Sequence, residues 1–447
     1  MRRLQAATSD TFRSLRSHNF ALFFVGQLIS QTGTWVQSVA IIWVVLELTD
    51  DGVALGLATA AQFLPVLVLG AWAGVISDRV DRHRFMIATQ AAFAVVALAF
   101  TALMFADAES LPSIYLLSGL FGVITALDNP ARRAFVVEMV PETDVPNAVG
   151  LNSALMTGSR VVGPALGGVV ITAYGADWAF LLNAISYVAV LAALLRIDRS
   201  KLRTPPPVAR AAGQLREGLR YVWRSPELRL PLILMAVVGT LSFEFQVTLP
   251  LLAERAFGGD AGTFTLLYST MSIGSLVGAL AIARRTSVDT GLLARSAVAL
   301  GVSMAVLALA PNTALGLVAV VPVGVTMIFL ISGSNAVIQL NAHPSMRGRA
   351  LALSSVVFLG STPIGGPIAG AVSEHLGSRA GVALGAVAAL AAGAWTLRAV
   401  TRAGSATVST ASEPTPTTGA TASGVDTAAG LPDDPAVIPV ASTEPAT

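Results

Sequence analysis

The chain contains no cysteine, which excludes disulfides, thiolate metal sites and cysteine-based catalysis. Its four histidines, His18, His83, His343 and His375, all stand outside the apolar runs. Metal or haem ligation therefore has little to build on, and no metal site is expected. The single lysine, Lys201, is followed by Leu202, so there is no GxxxxGK[ST] phosphate loop and no P-loop ATPase within the chain. Charge is scarce as well: 12% of residues are charged against about 25% in ordinary soluble domains, and 54% are hydrophobic. At a mean hydropathy of +0.71 the 447 residues lack the polar side chains to cover a globule. The apolar surface must face lipid, which excludes an ordinary water-soluble enzyme.

What is present is a series of apolar stretches near 20–48, 53–76, 85–106, 112–127, 148–173 and 178–195. A second series follows near 230–252, 264–283, 292–310, 314–339, 350–372 and 380–400. Each is about the length that crosses a bilayer as a helix. The reading is an all-α polytopic membrane protein with 12 transmembrane helices in two six-helix halves, 20–197 and 230–402. Segment 1–19 leads by arginines into a run too long for a signal peptide, so the first span is expected to stay. With the N-terminus inside, the cytoplasmic side receives Arg2, Arg3, Arg13, Arg16, Arg79, Arg82, Arg84, Arg132 and Arg133, then the central run, and later Arg284, Arg285, Arg295, Arg347, Arg349, Arg398 and Arg402. The outer loops keep only Arg255 and Arg379 beside Asp50, Asp51, Asp107, Glu109, Asp177, Asp260 and Glu374. That asymmetry follows the positive-inside rule and puts both termini in the cytoplasm, with anionic inner-leaflet lipid and not nucleic acid facing the arginines. Linker 198–229 holds Leu215, Leu219 and Val222 at helical spacing, which reads equally as an amphipathic helix on the inner leaflet or as a plain connection. Segment 403–447 is Ala, Ser, Thr and Pro with no Lys or Arg, and is expected to be a disordered cytoplasmic tail.

Shifted by 202 residues, the chain matches itself: Gly158-Ser159 falls on Gly360-Ser361, Gly163 on Gly365, Gly168 on Gly370 and Gly175 on Gly377. Parallel halves of this kind, related by an axis along the membrane normal, are one plan of secondary transporters, with the substrate cavity between them. The loop after the second span runs from Gly74 through Asp78, Arg79, Arg82 and His83 to Arg84. It resembles the GxxxDRxxRR loop motif of the major facilitator superfamily, whose second-half counterpart here, 278–288, is degenerate. In that family the loop latches one half against the other in the outward-open state, which implies a gating role for Gly74, Asp78, Arg79, Arg82 and Arg84. The fifth span holds Gly158, Arg160, Gly163, Pro164, Gly167 and Gly168. Glycines along a helix with one proline make a kinked, smooth groove on which a neighbour packs and slides. The pattern is similar to the GxxxGPxxGG antiporter motif of facilitator-type exporters. Two further stretches, 128–135 and 147–153, look like the enterobactin-exporter branch, and the likeness extends from Phe12 to about Val400.

Polar residues inside spans are costly and so are functional candidates. Gln27, Gln31, Thr34 and Ser38 form one stripe on the first span, and Ser332, Asn335 and Gln339 another on the tenth. The resemblance implies that the first and tenth spans line the cavity, so both stripes are candidate substrate contacts; hydrogen bonding between helices is the alternative. Three ionisable residues stand out: Arg160, Glu244 and Asp128. A carboxyl group in a half-dry cavity can load and release a proton as access alternates. Glu244 is the preferred proton carrier, with pairing to Arg160 as its alternative; Asp128 either shares the proton role or pairs with Arg132 one turn on. The chain is thus expected to be a monomeric secondary transporter exporting small amphipathic molecules, such as a siderophore, antibiotic or other natural product. The proton gradient would supply the energy and no cofactor is required. An uptake permease, or a receptor that keeps the fold, is the alternative.

Overall fold

The computed structural model describes residues 11–77, 79–203, 214–285, 287–344 and 346–411. Twelve of its helical segments are long and apolar enough to cross a membrane. The first six are α1 (His18–Thr49), α2 (Gly52–Ser77), α3 (Arg82–Phe105), α4 (Leu111–Glu138), α5 (Val145–Tyr174) and α6 (Ala176–Leu195). A linker helix α7 (Gln214–Arg224) leads to a broken seventh span, α8 (Pro226–Ser242) and α9 (Phe245–Leu251). Then come α10 (Ala261–Ala283), α11 (Thr290–Leu309), α12 (Thr313–Asn341), α13 (Arg347–Leu376) and α14 (Ser378–Ala411). No strand occurs among the described residues.

Apolar composition makes these helices, and polar caps decide where they start. Asp81 accepts from the Arg84 N–H at 3.0 Å, Asp260 from Thr263 at 2.9 Å, Asp289 from Leu292 at 2.6 Å and Asn312 from Leu315 at 3.0 Å. Each satisfies a backbone donor that the first helical turn leaves open. Inside the spans, hydroxyl groups donate back to the carbonyl four residues earlier, as Thr101 does to Ala97 and Ser272 to Tyr268. A hydroxyl buried between helices has no water to turn to, so this back-bonding keeps it satisfied. Large apolar side chains such as Val95, Leu116, Val188 and Val318 stand exposed on the outside, the pattern of a surface solvated by lipid.

The internal repeat is visible in the helices. A shift of 202 residues lays α5 on α13 end to end, and the start of α6 on the start of α14. Both α5 and α13 stop at a glycine in the left-handed region, Gly175 at φ 98° and Gly377 at φ 96°, a conformation that a side chain would strain. In the first half α1 packs on α5 and α6, α2 on α4, and α3 on α4 and α6. Its centre is aromatic: Phe93 lies 4.7 Å from Phe121 and is stacked 5.6 Å from Tyr187, with Phe100 stacked on Phe180 at 5.1 Å. In the second half α12 gathers α8, α10 and α11, and α13 lies against α8. The halves meet where α2 runs along α13 and α5 along α10.

The end of α4 differs from the sequence reading. Helix α4 continues past Leu127 to Glu138 because its polar stretch is satisfied internally: Arg132 turns back onto Asp128 and Pro130 is accommodated within the helix. The linker 198–229 contains α7, which docks on the second half. Glu217 pairs with Arg349 at 2.7 Å, the His343 N–H donates to the Tyr221 hydroxyl at 2.9 Å, and Val222 is buried with Leu228, Ile338 and Ala350. Residues up to Arg402 form one compact unit. Of the expected tail, 403–411 are helical and the remainder lies outside the described residues.

Candidate substrate and proton site

The contacts between the halves are concentrated toward the end opposite the chain termini. There Arg255 bridges Asp50 at 3.0 Å and Glu374 at 2.9 Å, and Glu374 also accepts from the Gly52 N–H at 2.8 Å. Asp50 and Gly52 belong to the first half, Arg255 and Glu374 to the second. Just beneath, α2 and α13 approach backbone to backbone: a Cβ on Gly56 would stand 2.5 Å from the Gly366 carbonyl oxygen, and one on Gly52 would stand 2.8 Å from that of Gly370. Only glycine permits this spacing. Toward the termini the helices diverge. There Arg160, Asn335, Gln339 and Ser355 are exposed. One end is closed and the other open.

Glu244 sits where the seventh span breaks. Phe243 and Glu244 leave the helical conformation between α8 and α9, and a π-helical turn, Leu252–Ala256, follows. An interrupted helix near the middle of the membrane frees backbone groups and positions side chains for ligands and ions. Glu244 is 3% exposed and lies over the glycines of α13, where a Cβ at Gly365 would meet its Oε1 at 2.7 Å. Thr362 is its side-chain hydrogen-bond partner, and Oε1 has no partner. Gly366, next along α13, is the residue that meets Gly56 of α2. The carboxyl group thus lies beside the closed contact between the halves. It does not pair with Arg160, which overturns that alternative: the Arg160 guanidinium lies 5.1 Å over the Trp35 ring on the exposed side of α5.

Between the halves Trp35 and Ser38 of α1, Gln246 of α9, and Phe264 and Tyr268 of α10 line a cleft. Trp35 and Tyr268 are 6.2 Å apart, and Phe264 meets Tyr268 edge-on at 6.0 Å. Of the first-span stripe, Ser38 lines this cleft. Thr34 instead bonds the Tyr187 hydroxyl at 3.1 Å inside the first half, and Gln27 is buried with Gln31 3.5 Å away. On the tenth span Ser332 is half-buried, while Asn335 and Gln339 are exposed toward the open end, with Ser354 3.4 Å from Asn335.

Asp128 is fully buried and saturated: Arg132 binds it through two nitrogens, Thr89 donates at 2.7 Å and Gln90 at 2.9 Å. Its geometry is that of the ion pair, the alternative raised above, and leaves its carboxylate no vacant oxygen for a travelling proton. In the loop motif Arg82 binds Glu138, Arg84 lies 3.7 Å from Asp81, and Arg199 binds Asp81 at 2.5 Å. All of these partners belong to the first half or to the segment just after it. Gly74 is half-buried, Arg79 is exposed, and Asp78 lies outside the described residues. The hydrogen bond from the Arg84 N–H, then the Arg199 guanidinium, hold the Asp81 carboxyl below its ordinary range despite the opposing effect of burial.

The glycine groove of α5 serves mainly its own half. Gly163 receives Trp35 and Gly167 receives Val36, both of α1, and only Gly168 reaches across to Thr265 of α10. The residues that sequence reasoning missed are Trp35, Gln246 and Tyr268 of the cleft. It also missed the bridge of Asp50, Arg255 and Glu374, visible beforehand only as charges in outer loops.

Twelve membrane-length helices in two repeat-related halves, closed at one end beside a broken helix with a buried acid, make up the major facilitator fold. The chain belongs to the transmembrane secretion effector family, whose profile matches residues 9–430. It is 25% identical to the staphyloferrin A transporter of Staphylococcus aureus (strain NCTC 8325 / PS 47) over 58% of this chain and 66% of that protein. That match spans just under two thirds of the relative's length. It is 27% identical to the multidrug efflux pump Tap of Mycolicibacterium fortuitum over 79% of this chain and 90% of that protein. In fold it is similar to a bacterial homologue of the human lysosomal transporter Spinster in an inward-facing, occupied conformation. That similarity has a TM-score of 0.69 at 15% identity, over 86% of this chain and 97% of that one.

Proposed function

We propose that this transporter exports small amphipathic molecules from the cytoplasm by proton antiport with alternating access. The arginine asymmetry supports a cytoplasmic position for the terminus-bearing, open end, and a cleft reached from there takes up its load from inside, as an exporter requires. Its relatives include proteins named for efflux, which favours the outward direction. Both termini are then cytoplasmic, anionic inner-leaflet lipid faces the arginines, and a monomer suffices because the cleft lies within one chain.

The observation that carries the reading is Glu244, buried at a helix break with one oxygen unpartnered, beside the Gly56–Gly366 contact. An ionised carboxylate enclosed without a partner costs several kcal/mol. The outer contact therefore closes readily over the neutral acid. Release of the proton toward the cytoplasm leaves a charge beneath that contact and loosens it, so the chain opens outward with its load. Protonation from outside resets the closed contact. One proton enters as one substrate leaves, with no chemistry beyond the proton transfer.

Accumulation of a panel of amphipathic compounds, compared in cells with and without the protein, tests this. Lower accumulation of at least one compound, restored to the level of cells without the protein by a protonophore, is expected. Accumulation unaffected by the protein, or an export that persists after the gradient collapses, would refute it.

A further inference from the structure

An unpaired cation stands beside Trp35 of the cleft. Arg160 is exposed on α5, its guanidinium stacks 5.1 Å over Trp35, and no carboxylate pairs with it among the described residues. Tyr268 faces Trp35 across the cleft, its ring 6.2 Å away. The nearest candidate counter-charge by sequence reasoning, Glu244, is turned toward Gly365 and Thr362 of α13. A charged side chain in a span is costly unless something at that place uses it. Arg160 lies over an aromatic face and, with no carboxylate bound to it, keeps its donors for an incoming group.

We infer that Arg160, with Trp35 and Tyr268, forms a subsite for organic anions. A carboxylate-type group is bound by the guanidinium while the apolar or aromatic body of the same molecule lies against Trp35 and Tyr268. A cationic substrate is disfavoured twice over: the Trp35 face that would attract it is already covered by a like charge, and no open carboxylate stands in the cleft. A planar guanidinium matches a carboxylate in two parallel hydrogen bonds, which lysine cannot reproduce. This inference rests on the export reading for the direction of movement but not for binding.

Three probes of one shape separate charge from bulk: 1-naphthoate, 1-naphthylmethanol and 1-naphthylmethylammonium. Their binding to the purified full chain in lipid nanodiscs is measured by equilibrium dialysis. The wild type is expected to bind the naphthoate roughly tenfold tighter than either partner, as a charge-assisted pair implies. Arg160→Gln should erase that preference and leave binding of the alcohol unchanged, and Arg160→Lys should keep part of it. Naphthoate binding that is absent, no tighter than the ammonium's, or equally preferred in Arg160→Gln overturns the subsite. Efflux of the same probes from proteoliposomes is read separately. Anion-selective binding without gradient-driven efflux would refute export and leave the subsite standing, and efflux without charge preference would refute the subsite alone.

Discussion

Replacing Asp128 by Asn keeps the size of the side chain and removes its charge. Asp128 is fully buried and its partner Arg132 is 6% exposed. The substitution therefore leaves a guanidinium enclosed with no anion, and Thr89 and Gln90 with a weaker acceptor. Breaking a buried pair from one side costs about 3–5 kcal/mol, a figure that already contains the loss of the accompanying hydrogen bonds. Spread over about 400 ordered residues at about 2.1 cal/mol/K each, that loss lowers the unfolding temperature by about 4–6 °C. Heating purified wild type and variant in the same detergent at one scan rate measures it. Asp128→Asn with Arg132→Gln should recover part of the loss, because neither buried charge then remains. The folded fraction of Asp128→Asn should still transport under a pH gradient. An unchanged unfolding temperature together with lost gradient-driven transport would refute the ion-pair reading and make Asp128 a proton carrier.

Arg255→Ala removes the bridge from Asp50 to Glu374, so the closed end should open more often; faster labelling of Ser38→Cys by an impermeant thiol reagent added outside checks this, and unchanged labelling contradicts it. Gly163→Leu forces a side chain into Trp35 and should destabilise the first half by at least the roughly 1–3 kcal/mol of overpacking; a variant as heat-stable as the wild type would show that α1 and α5 are not packed as described. Asp81→Ala removes the cap of α3 and should cost about 0.5–1 kcal/mol near neutral pH, toward the low end because the site is exposed. Since the folded-state carboxyl is held below its ordinary value, that contribution is present above about pH 4 and fades as pH falls through the lowered value; a wild-type advantage that persists unchanged in strong acid would contradict it.

The span count and the repeat were legible because both rest on local features: apolar length, polar caps, and glycines that recur at a fixed offset. The break at Phe243 and Glu244 was not. The run Leu241-Ser242-Phe243-Glu244-Phe245 contains neither glycine nor proline, and the acid is accommodated by Gly365 and Gly366, more than a hundred residues away. Helix periodicity likewise places Gln27, Gln31, Thr34 and Ser38 on one face but cannot say what that face meets. The face curves from Tyr187 inside the first half to the cleft, so Thr34 and Ser38 end in different surroundings. Asp128 was ambiguous for the opposite reason, since an i, i+4 arginine fits a structural pair and a proton site equally until Thr89 and Gln90 are seen to complete its coordination. The groove of α5 was readable as a close-packing surface, while its partner, α1 of the same half, was not.

Proton coupling through Glu244 is tested most directly by Glu244→Gln in inside-out vesicles, with a transported compound supplied outside and an acid-interior gradient imposed. Glutamine keeps the size and the hydrogen bond with Thr362 but cannot exchange a proton. The variant is expected to insert and bind as the wild type does, to fail to accumulate the compound against its gradient, and to lose the pH dependence of flux. Gradient-driven accumulation at the wild-type level in Glu244→Gln would contradict the account and remove this residue from the mechanism.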